Sequence, residues 1–179
     1  MLKPLGDSAL LVELGDKIDP AINQRVHALN ALLQTNSIAG IIETVPAYCT
    51  LLIHYDPLIL TFDQVTHWVR DKLTQVDDSL NRKPRQLEVP TRYGGASGPD
   101  LEAVAVSKGI SAADVVRIHS EREYTVYMMG FTPGFPYLGT LDERLITPRL
   151  ETPRTLVKTG TVAIAGSQTG IYPLDSPGG

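Results

Sequence analysis

Over residues 1–75 the apolar positions switch between two spacings. Ser8 to Leu14 (SALLVEL) is an apolar run of strand length, closed by Gly15 and Asp16. Asp19 then stands as a helix N-cap with Pro20 at the first helical position, and Ile22, Val26, Leu29 and Leu33 recur at helical spacing. Gly40 to Val45 and Tyr48 to Tyr55 predict two strands joined by a tight Pro46-Ala47 turn. In the second, Cys49, Leu51 and Ile53 share one face, opposite Thr50 and His54. Thr61 and Gln64 make a capping box for a helix whose apolar stripe is Val65, Trp68, Val69 and Leu73. The order strand-helix-strand-strand-helix is most of a ferredoxin-like split βαβ unit.

Residues 75–86 are polar and read as linker. Gln86 to Tyr93 (QLEVPTRY) predicts a strand that Pro90 confines to a sheet edge. A glycine-rich loop follows to Asp100, an expected N-cap for a helix from Leu101 to Gly109, and Ser111 caps another from Ala112 to about Glu121. Tyr124 to Met129 is strongly β-prone. After Gly130 the periodicity almost disappears. Average usage gives about six Gly plus Pro in fifty residues, whereas Gly130 to Gly179 holds eight Gly and six Pro. Two short strands are expected there, Thr155 to Lys158 and Val162 to Ala165.

Composition narrows the function classes. The 179 residues are 42% hydrophobic and 20% charged, with a net charge of −4, which fits one large or two small globular domains. No basic face is visible, so nucleic acid and an anionic membrane are both disfavoured. Cys49 is the only cysteine, which excludes an intramolecular disulfide and a thiolate metal site. It is expected as a buried small hydrophobe. The N-terminus lacks the features of a signal peptide and no apolar run is long enough to span a bilayer, so a cytoplasmic location is expected. There is no Walker A pattern, no G-x-G-x-x-G after a strand and no G-x-S-x-G elbow. His27, His54, His67 and His119 lack metal-ligand spacing, so no metal site is expected. His27 and His67 read as surface residues.

Three constellations could carry chemistry. In GFTPGFPYLG (Gly130 to Gly139), glycines and prolines would hold Phe131, Phe135 and Tyr137 on an irregular scaffold, either as a binding surface or as a small satellite core. In TPRLETPR (Thr147 to Arg154), two Thr-Pro-Arg units present Arg149 and Arg154 from stiff backbone, suited to a carboxylate or phosphate. Alternatively both are solvated and paired with Asp142, Glu143 or Glu151. In GSQTGIYPLDSPGG (Gly166 to Gly179), Gln168, Thr169 and Tyr172 offer neutral hydrogen-bonding groups, with Gly166 and Gly170 allowing close approach of a ligand. The alternative is a wide turn. His119, near Glu121 and Glu123, is the best general-base candidate, although a helix-end histidine is more often satisfied by the helix dipole.

The runs YGGASGPDLEAVA, IHSEREYTVYMMGFTPGFPYLG and TPRLETPRTLVKTGTVAIAGSQTGIYPLDSPGG closely resemble the family of 5-oxoprolinase B subunits, also called KipI or allophanate hydrolase subunit 1. The likeness is dense from about Tyr93 to Gly179 and weaker, though similar in pattern, before Gln75. It implies an α+β protein: a ferredoxin-like domain over 1–79, a linker at 80–86 and a cyclophilin-like β-barrel domain over 87–179. The family pattern continues past SPGG through a tryptophan-containing stretch and further strands, so the barrel is expected either to be incomplete here or to close differently; missing strands would leave unpaired edges, with self-association or a poorly ordered tail expected unless another chain completes the sheet.

The resemblance further implies a component of ATP-dependent 5-oxoprolinase, which opens 5-oxoproline to glutamate with ATP hydrolysis alongside the A and C subunits. Magnesium is implied with the ATP, and the chain is expected to be inactive alone. On this reading His119, Arg149 and Arg154 are the catalytic candidates. Phe131, Phe135, Tyr137, Gln168, Thr169 and Tyr172 are the substrate-binding ones. An alternative implied by the same family is inhibition of a sensor histidine kinase by binding its dimerisation helices, with the exposed aromatics as contact surface. Allophanate as substrate ranks lower, since no amidase serine-lysine arrangement is present, and prolyl isomerase activity would rest on fold analogy alone.

Overall fold

A computed structural model describes residues 1–76 and 85–179, and the chain divides into two compact units, Met1–Arg85 and Gln86–Gly179. The expected linker at 80–86 lies, except for its last two residues, outside the described residues, as does the boundary at residue 79.

The first unit is one antiparallel sheet covered by two helices. Strands β1 (Leu2–Pro4), β2 (Ala9–Glu13), β3 (Ile41–Pro46) and β4 (Thr50–Tyr55) lie in the order β1-β2-β4-β3. Helix α1 (Pro20–Thr35) joins β2 to β3, and α2 (Phe62–Leu73) follows β4. Both helices start where the sequence placed them. The Asp19 carboxylate accepts from the backbone N–H groups of Ala21 and Ile22. At α2, the Thr61 hydroxyl accepts from the Gln64 N–H while the Gln64 side chain accepts from the Thr61 N–H. Leu10 faces Ile53 and Val12 faces Leu51 across the β2–β4 ladder, and these residues close the core with Val26, Leu29 and Val65. Asn23, buried on α1, donates its side-chain amide to the carbonyls of Ala47 and Tyr48, tying the helix to the β3–β4 turn. Cys49 corrects its expectation: it sits in that turn, one residue before β4 begins, and is only half-buried.

The second unit holds helices α3 (Leu101–Lys108) and α4 (Ala112–Ser120) and two open antiparallel sheets. The larger contains β5 (Thr125–Met129), β6 (Pro136–Gly139), β8 (Val162–Ala165) and β9 (Gln168–Ile171) in the order β5-β6-β9-β8. The smaller pairs β7 (Arg154–Val157) with β10 (Ser176–Gly178). Among the described residues no sheet closes into a barrel. Ala105, Val115, Ile118, Leu141 and Leu145 form the core of this unit.

Several expectations change here. Gln86 to Tyr93 forms no strand; Leu87 and Val89 are exposed, and Pro90 has no N–H to offer a ladder. The glycine-rich loop before α3 contains a short 3-10 turn, Gly95–Ser97. Asp100 occupies the cap position of α3, but its carboxylate makes no capping hydrogen bond. The segment after Gly130 contains five strands where the sequence predicted two, and its last residues form β10 rather than a loose tail. The wide turn considered for Gly166 to Gly179 is instead two strands, β9 and β10, and β8 meets β9 through a two-residue hairpin turn. Ala165 pairs with Gln168, and Gly166 takes the left-handed conformation (φ 61°) that such a turn requires.

Candidate functional site

The aromatic loop is the β5–β6 connection. Met129 pairs with Pro136 across the ladder, and the Gly130 N–H donates to the Phe135 carbonyl at 3.1 Å. Inside it the Thr132 N–H donates to the Gly130 carbonyl at 2.7 Å and the Phe135 N–H to the Thr132 carbonyl at 3.0 Å. This tight winding puts Phe131 in the left-handed region (φ 61°), costly for a residue with a Cβ.

Its ring meets Phe135 edge-on with centroids 5.4 Å apart and Tyr172 at 6.2 Å. Phe135 in turn meets Tyr137 and Tyr172, both at 5.2 Å. Four residues expected at the site therefore form one T-shaped cluster, each contact contributing about 0.5–1.5 kcal/mol beyond burial. Tyr172 is buried, whereas Phe131 is 59% exposed at the cluster's edge and lines an open concavity with Met129, Gly130, Thr132, Pro133 and Gly134.

At two glycines of this region, Gly170 and Gly178, the space is filled by the protein itself. A Cβ on Gly170 would come within 2.5 Å of Phe135 Cζ, and one on Gly178 would strike the Tyr172 hydroxyl. Gly170 lets an aromatic ring close on strand β9, where the sequence suggested approach of a ligand; at Gly166 the space remains open.

His119 is in the last turn of α4 and is buried, 7% exposed. Its Nδ1 is 2.7 Å from the Tyr93 hydroxyl and its Nε2 is 3.1 Å from the Thr169 hydroxyl. The Thr169 hydroxyl donates its single proton to the Ala163 carbonyl at 3.0 Å. It therefore accepts from His119, which assigns the ring proton to Nε2 and leaves Nδ1 to accept from Tyr93. Burial holds the His119 pKa below its usual value, so the ring is neutral.

Burial also raises the Tyr93 phenol, and burial followed by the neighbouring Tyr93 pushes Tyr124 up to about 12. The Tyr124 ring lies 5.3 Å from that of His119 and its hydroxyl donates to the His119 carbonyl. Glu121 and Glu123, the expected acidic neighbours of this histidine, are exposed and engaged elsewhere, with Arg117 and Gln86 respectively.

The two arginines separate. Arg154 forms a two-pronged pair with Asp100, at 2.6 and 2.7 Å, and the hydrogen bond from this guanidinium holds the Asp100 carboxylate below its ordinary range. Arg149 is exposed on the irregular stretch between Thr147 and Arg154 and, among the described residues, makes no ion pair. Thr169 is buried within the histidine network and Gln168 is half-buried beside it on β9. Tyr93 and Tyr124 escaped the sequence reading. No spacing links positions 93, 119 and 169, and only the fold joins them.

Among the described residues no three His, Cys, Asp or Glu side chains gather where a metal ion could be held. No helix is long and apolar enough to cross a membrane among the same residues.

The whole chain, residues 1–179, matches the family model described as carboxyltransferase domain, subdomain C and D. It is 38% identical to the 5-oxoprolinase B subunit of Bacillus subtilis, over 99% of this chain and 78% of that protein. It is 40% identical to the 5-oxoprolinase B subunit of Escherichia coli O157:H7, over 98% of this chain and 79% of that protein. A crystal structure of the protein TTHA0988 superposes with a TM-score of 0.85 at 36% identity, covering all of this chain but 34% of the other, so the chain spans about a third of that protein. Matched along its full length by the family model and by sequences from two bacteria, the chain belongs to the family of 5-oxoprolinase B subunits, built on the carboxyltransferase C and D subdomains.

Proposed function

We propose that this chain is the B subunit of an ATP-dependent 5-oxoprolinase, a cytoplasmic complex with A and C subunits that converts 5-oxoproline to glutamate as ATP is hydrolysed, and that it is inactive alone. We further read its first unit as ferredoxin-like and its second as part of a cyclophilin-like barrel. The observation that carries the reading is the likeness to 5-oxoprolinase B subunits over almost every residue of the chain. In this reading the exposed edge of Phe131 offers a planar apolar face to the lactam ring. Arg149, whose cation no neighbouring carboxylate occupies among the described residues, meets the substrate carboxylate. Arg154 braces the same loop against Asp100, and Gln168, Tyr137 and Tyr172 shape the floor.

No acidic cluster gathers among the described residues, and the sequence contains no phosphate loop. On this reading the nucleotide binds mainly through the partner subunits.

The test is 5-oxoproline-dependent ATP hydrolysis after reconstitution with the A and C subunits. Arg149→Ala is expected to raise KM for 5-oxoproline roughly tenfold or more, the loss of one charge-assisted contact. Wild-type activity from Arg149→Ala would remove this residue from the site, and no activity in the wild-type complex would remove the reading. Phe131 at 59% exposure also suits a second reading, contact with the dimerisation helices of a sensor histidine kinase. Inhibition of a kinase by the isolated chain, abolished in Phe131→Ala, is the result that would favour it.

A further inference from the structure

We infer that Thr132 is a specificity-determining residue of the concavity in the β5–β6 loop, and that this concavity takes the ring amide of a small lactam. The loop is two turns in succession. The bond from the Thr132 N–H to the Gly130 carbonyl closes a γ-turn around Phe131, whose φ of 61° is the strained hand of that turn. The bond from the Phe135 N–H to the Thr132 carbonyl then closes a β-turn with Pro133 and Gly134 at its centre. Gly134 stands at φ 82°, which with proline before it leaves only type II.

These turns decide which hydrogen-bonding groups are spent. The N–H groups of Gly130, Thr132 and Phe135 are committed inside the loop, and Pro133 has none. Phe131 and Gly134 keep N–H groups that, among the described residues, donate to nothing. The Thr132 hydroxyl is a third unspent group: its oxygen is closed off from solvent and, among the described residues, has no hydrogen-bond partner. An unmade hydrogen bond in such a place is unfavourable, and a ligand that supplies the partner removes the penalty. Thr132 is half-buried and lines the concavity, and a single χ1 step re-aims its hydroxyl without moving the backbone.

The lining narrows the ligand. The residues from Met129 to Gly134 border about 340 Å³, near the lower end for small-molecule sites, and none of them is charged. Unspent N–H donors between uncharged walls suit a neutral carbonyl oxygen, whereas a carboxylate or phosphate calls for a cation. The hydroxyl, able to donate or accept, meets either end of an amide. The Phe131 ring, 59% exposed at the edge of the aromatic cluster, supplies a flat apolar face. With the ring this open, core packing alone does not account for the strained φ of Phe131, and such strain gathers at ligand sites. A small cyclic amide combines a flat ring, one carbonyl and one N–H. That 5-oxoproline is the natural ligand rests on the 5-oxoprolinase reading; the affinity of the concavity for a neutral lactam does not.

The probe is 2-pyrrolidinone, a lactam without a carboxylate, titrated into the full 15N-labelled chain and followed in amide NMR spectra. It should shift the Phe131 and Gly134 amides to saturation, and 5-oxoproline should shift the same two. L-Proline, which has the ring and the carboxylate but no ring carbonyl, should leave them in place. Thr132→Val keeps the shape and loses the hydroxyl, so Kd for 2-pyrrolidinone should rise roughly two- to tenfold, the loss of one hydrogen bond. Thr132→Ser should bind as the wild type does, and Thr132→Ala repeats the deletion if valine alters amide shifts outside the loop. Phe131 and Gly134 amides that 2-pyrrolidinone does not move, equal shifts with L-proline, or wild-type affinity without the hydroxyl overturns the inference. In the reconstituted complex Thr132→Val should raise KM for 5-oxoproline by a similar factor with kcat nearly unchanged, and an unchanged KM takes Thr132 out of the substrate site. A wild-type complex without 5-oxoproline-dependent activity, beside a chain that binds 2-pyrrolidinone, sinks the functional reading and leaves the lactam site standing.

Discussion

Arg149 and Arg154 stand in the same Thr-Pro-Arg context and end in different electrostatic states. Sequence could say that both were presented from stiff backbone, but not that Asp100, more than fifty positions upstream, would take one of them. Asp100 shows the same blindness from the other side. Its type and place announced an N-cap, yet its carboxylate turns to Arg154 because a two-pronged guanidinium offers more than one backbone N–H. His119 was legible as a helix-end histidine and nothing more; its burial and both ring partners come from tertiary structure. That burial has a pH consequence. The folded ring titrates below the 6.5 of an unperturbed histidine, so between these two values the unfolded chain binds the extra proton. The contribution is complete above about pH 6.5 and is lost as pH falls below it. Asp100 and Asp175, both lowered, are fully ionised throughout that window and add no slope there. Urea denaturation should therefore give a lower midpoint at about pH 5.5 than at pH 7.5, and His119→Gln should flatten the difference. An unchanged slope in His119→Gln would show that another group titrates.

Among the elements, legibility followed hydrophobic period. The two helices and the central strands of the first unit were marked by caps and by runs long enough to show spacing, and each appears within about two residues of its expected place. The strands β6, β9 and β10 were not. They read PYLG, QTGI and SPG, three or four residues each and rich in glycine and proline, so neither β-propensity nor alternation could declare them. What makes them strands is pairing: β9 is held on both sides, by β6 through Tyr137 and Leu138 and by β8 along its whole length. Aromatic rings then close over the bare backbone of the glycines. Gly170 is the sharpest case. In Gly170→Ala the new methyl would sit 2.5 Å from Phe135 Cζ and 3.3 Å from the Pro136 carbonyl. Moving the ring would break its contacts with Tyr137 and Tyr172. The expected cost is about 1–3 kcal/mol of stability. Trimming the ring, in the double variant Gly170→Ala with Phe135→Leu, should recover part of it. A double-mutant cycle measures this coupling, and strict additivity would mean that the two positions do not touch in solution.

At the scale of the molecule, each unit carries its own core, and the first is the better packed against substitution. Leu10, Val12, Val26, Leu29, Leu51 and Ile53 are all completely buried between the sheet and its helices. The second core is smaller, built from Ala105, Val115, Ile118, Leu141 and Leu145 and supplemented by the hydrogen-bonded brace of Tyr93, His119 and Thr169. A cavity cut into the first core therefore has few ways to collapse. Leu51 is the strictest position, since it lies on the central strand β4 with Val12 on one side and Pro46 on the other. Leu51→Ala removes about three buried carbons from a site closed on all sides, for an expected loss of about 2–5 kcal/mol. Amide hydrogen exchange should report that loss as faster exchange along β2, β4, α1 and α2, because their most protected amides open only when this core opens. If exchange in α4 and in β9 of the second unit accelerates by the same factor, the two cores unfold as one cooperative block. If it does not, each core sets the stability of its own unit, and the proposed binding surface on the second can be re-engineered without disturbing the first.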